Sequence, residues 1–232
     1  MTQLVLLPGM DGTARLFADF IDAMHLSVAP KVIAYPGDRA LGYGELTDLV
    51  RRALPIDEPY FLLAESFSGP IAIALAAEGL PGLTALILVS SFARAPIRLP
   101  RILRAIVAWM PMRWAPVALV SRVILGRSAT PIAQSTLCEA LASVSASAWR
   151  ARIADVLNVN VIDRVPAIRV PSLYLRASND TLVPREASDL IATRMPNLRT
   201  VDIVSSHFIL QSNPREAARE IHEFLDEVHI GA

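Results

Sequence analysis

The chain has a single cysteine, Cys138, and a single lysine, Lys31, among 232 residues. One thiol cannot close an internal disulfide, and no Cys/His cluster has metal-ligand spacing. A disulfide framework and a structural metal are therefore excluded, and a reducing cytoplasm is the natural setting. Net charge is also lacking: 22 basic side chains balance 22 acidic ones, which argues against nucleic acid as the main partner. No basic segment precedes the first apolar run, which leads straight into Pro8-Gly9, so it reads as a strand and not a signal peptide. Nor is there an uninterrupted run of membrane-spanning length. Residues 102 to 125 come nearest, but Arg104, Pro111, Arg113, Pro116 and Arg122 break them, and a transmembrane helix is not expected. With 53% hydrophobic and 19% charged residues, the chain is too apolar for disorder and long enough for one domain, or one domain with an insertion.

What is present is an alternation. Short apolar runs at Gln3–Leu7, Lys31–Tyr35, Tyr60–Glu65, Thr84–Ser90, Ser172–Ala177 and Leu198–Val204 read as strands. Amphipathic stretches near 15–24, 44–53, 69–79, 185–194 and 214–229 read as helices between them. Strands separated by helices imply an α/β fold with a parallel sheet covered on both faces. In such sheets the reactive groups gather beyond the carboxyl ends of the strands.

The most specific stretch is Tyr60-Phe-Leu-Leu-Ala64-Glu65-Ser66-Phe67-Ser68-Gly69-Pro70, a strand that meets a serine amid small residues and passes directly into an Ala-rich helix. A serine at such a turn is held in a strained backbone conformation, tolerable only if the residues two before and two or three after stay small. Ala64, Ser68 and Gly69 are small, although the usual Gly-x-Ser-x-Gly letters are absent. The helix starting there turns free N–H groups and a positive dipole end toward whatever the hydroxyl attacks. The plainer role for Ser66 is a helix N-cap. Taking Ser68 as the nucleophile instead would put Pro70 two residues after it, a poorer fit to the turn.

Three further strand ends carry chemistry-bearing residues. Leu7-Pro8-Gly9-Met10-Asp11-Gly12-Thr13 is a glycine-bracketed loop able to leave N–H groups free, or a plain turn with Asp11 or Thr13 capping the next helix. Asp180 lies in the loop after Ser172–Ala177, where an aspartate is as often a turn residue as an orienting acid. His207 follows the last strand and precedes Asn213-Pro214-Arg215-Glu216, which has the form of a capping box opening the final helix. His25 follows the first helix, and His222 and His229 fall on the last one, so only His207 has an active-site address.

Residues 94–165 interrupt the alternation with five prolines between 96 and 131 and helical apolar stretches. They are expected to form a helical cap, or lid, over a core made of 1–93 and 166–232. Trp109, Met110, Met112 and Trp114 would line the site from this cap, or serve as the cap's own core. From 94 to 138 there are seven arginines and no acid, a charge that would suit an acidic partner or an anionic head group, or an ordinary solvated surface.

A serine hydroxyl needs a base to take its proton and an acid to orient that base, and Ser66, Asp180 and His207 supply one of each at three strand ends, in the chain order Ser, Asp, His. These segments and the Pro-Gly-Met-Asp-Gly loop together resemble the α/β-hydrolase fold family over almost the whole chain. The resemblance implies Ser66 as nucleophile, His207 as general base and then acid, and Asp180 as orienting acid. It also implies the backbone N–H groups of Met10 and Phe67 as oxyanion donors, with no cofactor and no metal. Pro8 stands where relatives often carry His, and the sheet is expected to lack the family's two leading strands, leaving about six. The cap is similar to that of small carboxylesterases, including methyl esterases acting on acyl chains held by acyl carrier protein. A small-molecule acyl ester is then the expected substrate, and an acidic carrier protein or an anionic head group is the candidate partner at the arginine-rich cap. An acyltransferase or thioesterase with the same three residues, or a ligand-binding protein on the same fold, is the alternative.

Overall fold

Period-two alternation sorts each strand's side chains onto two faces, and here both faces are apolar. The computed structural model describes residues 2–24, 28–56, 58–96, 100 and 131–230. Six strands, β1 (Gln3–Leu7), β2 (Ala29–Val32), β3 (Tyr60–Glu65), β4 (Leu83–Val89), β5 (Ser172–Ala177) and β6 (Leu198–Ile203), form one sheet. Their order is β2-β1-β3-β4-β5-β6 and every neighbouring pair is parallel. The helices are α1 (Ala18–Ala23), α2 (Tyr43–Ala53), α3 (Gly69–Ala77), α4 (Pro131–Ala142), α5 (Ala146–Asn158), α6 (Arg185–Ala192), α7 (Ile209–Ser212) and α8 (Pro214–Ile230). The parallel α/β architecture expected from the alternation is the one observed.

On one face Val5, Leu7, Leu62, Ala64, Leu86, Leu88 and Tyr174 pack with Leu46 and Val50 of α2 and Ile71 and Leu75 of α3. On the other, Leu4, Leu6, Phe61, Leu63, Ile87, Leu173 and Leu175 pack with Phe20 of α1 and Ile221 and Phe224 of α8. Strands buried on both sides read as continuous apolar runs, which is why β1, β3 and β5 were legible to the residue. α3 is buried from Gly69 to Ala76, so it too is apolar all round.

The structure corrects some boundaries. The second strand is Ala29–Val32, paired with Gln3–Leu6, and not Lys31–Tyr35. Ile33 N–H makes one last bond to Leu6 C=O of β1 (3.0 Å), whereas Tyr35 N–H has left the ladder for Gly12 C=O (2.8 Å), and both side chains are apolar because they turn into the core with α2. Asp11 does not cap the following helix: its carboxylate accepts from Thr13 N–H (2.9 Å) and the Thr13 hydroxyl (2.5 Å), while the Thr13 hydroxyl oxygen accepts a long bond from Arg15 N–H (3.4 Å) at the start of the 3-10 turn Arg15–Phe17 that leads into α1.

The topology fixes where a site can form. From β1 the chain passes to β2 on one side and then to β3 on the other, so the strand order reverses between β1 and β3. Loops leaving that switch point diverge and open a crevice at the carboxyl ends of the strands. Gly9–Gly12 and Ser66 lie at those two ends. The described ends of the expected cap meet: Arg94 and Asn160 form an antiparallel bridge, and Ala95 N–H donates to Val159 C=O. Among the described residues no helix is long and apolar enough to cross a membrane.

Candidate active site

β3 ends at Glu65, and the next residue, Ser66, has φ +48°, a left-handed conformation that costs a non-glycine residue about 1–2 kcal/mol. The turn is possible because its neighbours are small. A Cβ on Gly69 would lie 1.7 Å from Ser91 Oγ, so there is no space for one. Ser91 Oγ in turn donates to the Ser66 carbonyl (2.7 Å) and holds the strained residue down. Ser68, where glycine is usual, is fully buried; its hydroxyl donates to Pro8 C=O and accepts from Tyr35 OH (2.6 Å). The hydroxyl thus ties the turn to the β1 loop, which excludes Ser68 as a free nucleophile.

Residues 141 apart in sequence meet here: His207 Nε2 lies 2.8 Å from Ser66 Oγ. On the other side of the ring His207 Nδ1 lies 2.8 Å from Asp180 Oδ2. An ionised carboxylate only accepts, so Nδ1 carries the proton and Nε2 is left to accept from the serine. Asp180 is fixed by its other oxygen, which accepts from Leu182 N–H and Val183 N–H, each at 2.9 Å. Both partners are nearly enclosed, with side-chain exposures of 5% and 6%. Such a relay can take a proton from the hydroxyl and return it to a leaving group.

The third element is the β1 loop. Gly12 (φ +72°) closes a turn in which its N–H donates to Gly9 C=O (3.0 Å). Among the described residues the Met10 N–H has no hydrogen-bond acceptor. Phe67 is buried beneath Tyr43, whose ring stacks on it at 4.7 Å and whose hydroxyl donates to Phe67 C=O (2.9 Å). Trp109, Met110, Met112 and Trp114 lie outside the described residues, as do all the arginines of the basic segment except Arg94.

Sequence reasoning missed the groups around this relay. A pocket of about 190 Å³ opens onto Ser66 and His207, walled by Leu16, Leu137, Leu141, Trp149, Ile153 and Phe208, with Glu65 and Asp11 also reaching it. Glu65 is 3% exposed and bonded by Gln211 Nε2 (3.0 Å). Burial pushes its carboxyl up to about 8, helped by the nearby Asp11 and opposed by Gln211 and the Gly9 N–H. Burial likewise raises Asp11, against the hydrogen bonds from Thr13 and the charge of Arg152. Arg152 itself is 1% exposed, a buried cation on α5. A wider groove of about 710 Å³, lined by Asp19, Asp22, Arg215, Arg219 and Glu223, includes none of Ser66, Asp180 or His207. Among the described residues no group of three or more His, Cys, Asp or Glu could hold a metal ion.

A parallel sheet with a strained serine after its central strand defines the protein as an α/β-hydrolase, and solved structures of that fold superpose on nearly the whole chain. A bromoperoxidase from Bacillus anthracis matches with TM-score 0.85 and 13% identity over 97% of this chain and 92% of that one. MenH from S. aureus matches with TM-score 0.81 and 21% identity over 98% and 94%. An esterase from Exiguobacterium antarcticum matches with TM-score 0.81 and 15% identity over 97% and 92%. At these identities the likeness is one of fold. The family is given by the sequence: residues 43–206 match the family described as Serine aminopeptidase, S33, and the chain belongs to it. It is a hydrolase of the α/β fold. No curated protein matches the sequence.

Proposed function

We propose that the chain is a serine hydrolase that cleaves carboxylic esters through an acyl-enzyme. The observation that carries this reading is the pair of 2.8 Å contacts joining Asp180, His207 and Ser66, with Ser66 strained at φ +48°. Ser66 Oγ attacks the ester carbonyl carbon while its proton passes to His207 Nε2, and Asp180 holds the imidazolium in place. The N–H groups of Met10 and Phe67 receive the oxyanion, each worth about 3 kcal/mol of barrier. Collapse breaks the bond to the alkoxy oxygen, which leaves with the proton from Nε2. Water, deprotonated by the same nitrogen, then attacks the acyl-enzyme and releases the acid and Ser66. The apolar wall of Leu137, Leu141, Trp149 and Ile153 suits an acyl group of modest size.

Ser66→Ala is expected to lower kcat on a short p-nitrophenyl ester by about 10⁴-fold or more while the protein stays folded. Wild-type protein should also be labelled quickly by a fluorophosphonate, and the variant not at all. Ester hydrolysis unchanged in the variant would remove this account. A second reading, hydrolysis of peptide amides, is favoured by the name of the family that residues 43–206 match. Aminoacyl p-nitroanilides assayed beside the esters separate the two, since an aminopeptidase would turn over the anilide at comparable kcat/KM.

A further inference from the structure

Resting on the serine-hydrolase reading, we propose that Arg152 is a positioning residue: from α5 it holds the β1 loop so that the Met10 N–H is presented to the oxyanion. The loop's carbonyls are all engaged, one after another. Pro8 C=O accepts from Ser68 Oγ, Gly9 C=O from Gly12 N–H, and Gly12 C=O from Tyr35 N–H. The remaining two are taken by one guanidinium nitrogen, Arg152 Nη1, which donates to Met10 C=O (2.8 Å) and Asp11 C=O (3.0 Å). Its Nη2 donates to Pro36 C=O (2.9 Å), which fixes the fork from a second segment. With five successive carbonyls tied, the peptide planes cannot rotate. The Met10 N–H points opposite to Gly9 C=O across a trans peptide and stays unbonded among the described residues.

The choice of residue follows from that geometry. A planar fork can serve three carbonyls on two segments at once, whereas an ammonium is a point charge on a flexible stem. Gly12 is needed for the same contact, because a Cβ there would stand 2.8 Å from Nη1. Arg152 does not act on substrate directly: Trp149 and Ile153 of the same helix wall the pocket, while Arg152 does not line it. Asp155, one turn on, supports the other arm. It accepts from Tyr43 N–H (2.5 Å), and Tyr43 stacks on Phe67 and donates to its carbonyl. One face of α5 therefore grips both segments that would hold the oxyanion.

The test compares wild type, Arg152→Lys, Arg152→Met and Tyr43→Phe on a short p-nitrophenyl ester, together with their affinity for an arylboronic acid, a mimic of the tetrahedral adduct. Arg152→Met is expected to lower kcat about 100-fold with KM within about threefold, and to weaken the boronic acid in parallel. Arg152→Lys should recover part of the loss, and Tyr43→Phe should cost about tenfold in kcat by loosening Phe67 alone. If Arg152→Met leaves the Met10, Asp11 and Pro36 carbonyls unpaired and fails to fold, Arg152→Lys and Tyr43→Phe carry the comparison. Folded variants with kcat within threefold of wild type, or a loss confined to KM with boronic acid affinity unchanged, would overturn the positioning role. A wild-type protein that neither hydrolyses the ester nor reacts with fluorophosphonate overturns the serine-hydrolase reading itself, and the positioning role with it.

Discussion

Glu65 is the residue whose chemistry is most out of proportion to its place in the sequence, where it is merely the letter before a serine. Enclosed at 3% exposure, it finds neutral donors as partners among the described residues, the Gln211 amide and the Gly9 N–H, while the charge that acts on it is another carboxylate, Asp11. Unfolded, it titrates near its ordinary 4.5; folded, burial holds it up at about 8. Between those values the folded protein keeps a proton that the unfolded chain releases. Stability from this group is therefore complete below about pH 4.5 and is lost as pH rises through about 8. Glu65→Gln cannot ionise and should escape the loss. Its advantage over wild type in urea unfolding should be near zero around pH 5 and reach on the order of several kcal/mol above about pH 9. Parallel stability–pH curves for the two proteins would show that Glu65 is ionised when folded and that its environment has been misjudged.

At the scale of elements, Gly69 at the start of α3 supplies a test in which two effects have opposite signs. Its backbone is helical (φ −56°, ψ −47°), so glycine is not needed for conformation. By propensity alone Gly69→Ala should stabilise the helix by roughly 1 kcal/mol. The space says otherwise: the new methyl would coincide with Ser91 Oγ at 1.7 Å and press on its Cβ at 2.8 Å, breaking the bond that holds the Ser66 carbonyl. The expected outcome is a net destabilisation of about 1–3 kcal/mol, measured by thermal melting, with partial relief when Ser91→Ala is added. A raised Tm would mean that the turn is looser than its contacts indicate. The small residues of this turn were legible in the sequence because their reason is local, as were β1, β3, β5 and the Pro214 start of α8. The second strand was misplaced because a last ladder bond at Ile33 and burial at Tyr35 carry the apolar pattern past its end at Val32, and α7 was missed because four residues are too few for a helical period.

For the whole molecule, what could be read depended on how far a residue's meaning travels. Ser66, Asp180 and His207 each follow a strand, so local pattern was enough to locate them, and parallel topology then had to bring them to one edge. Arg152 has no local signature. On α5 it reads as one more basic side chain, and only contacts with carbonyls 141 and 142 residues away reveal it. The same sheet that gathers the site also separates two cores, since side chains alternate across it and, among the described residues, none belongs to both faces. Leu46 on α2 is buried on one face and Ile221 on α8 on the other, each with 0% exposure. Leu46→Ala should cost about 2–5 kcal/mol and Ile221→Val about 0.5–1.5 kcal/mol. Because the strands lie between them and they share no cavity, the double variant should equal the sum within about 0.5 kcal/mol. It should still unfold in one transition by tryptophan fluorescence and by circular dichroism, because both cores are built on the same six strands and neither persists without the sheet. Two separated transitions, or a large coupling energy, would mean that the faces fold as independent layers and that the site at their common edge could be lost while one layer survives.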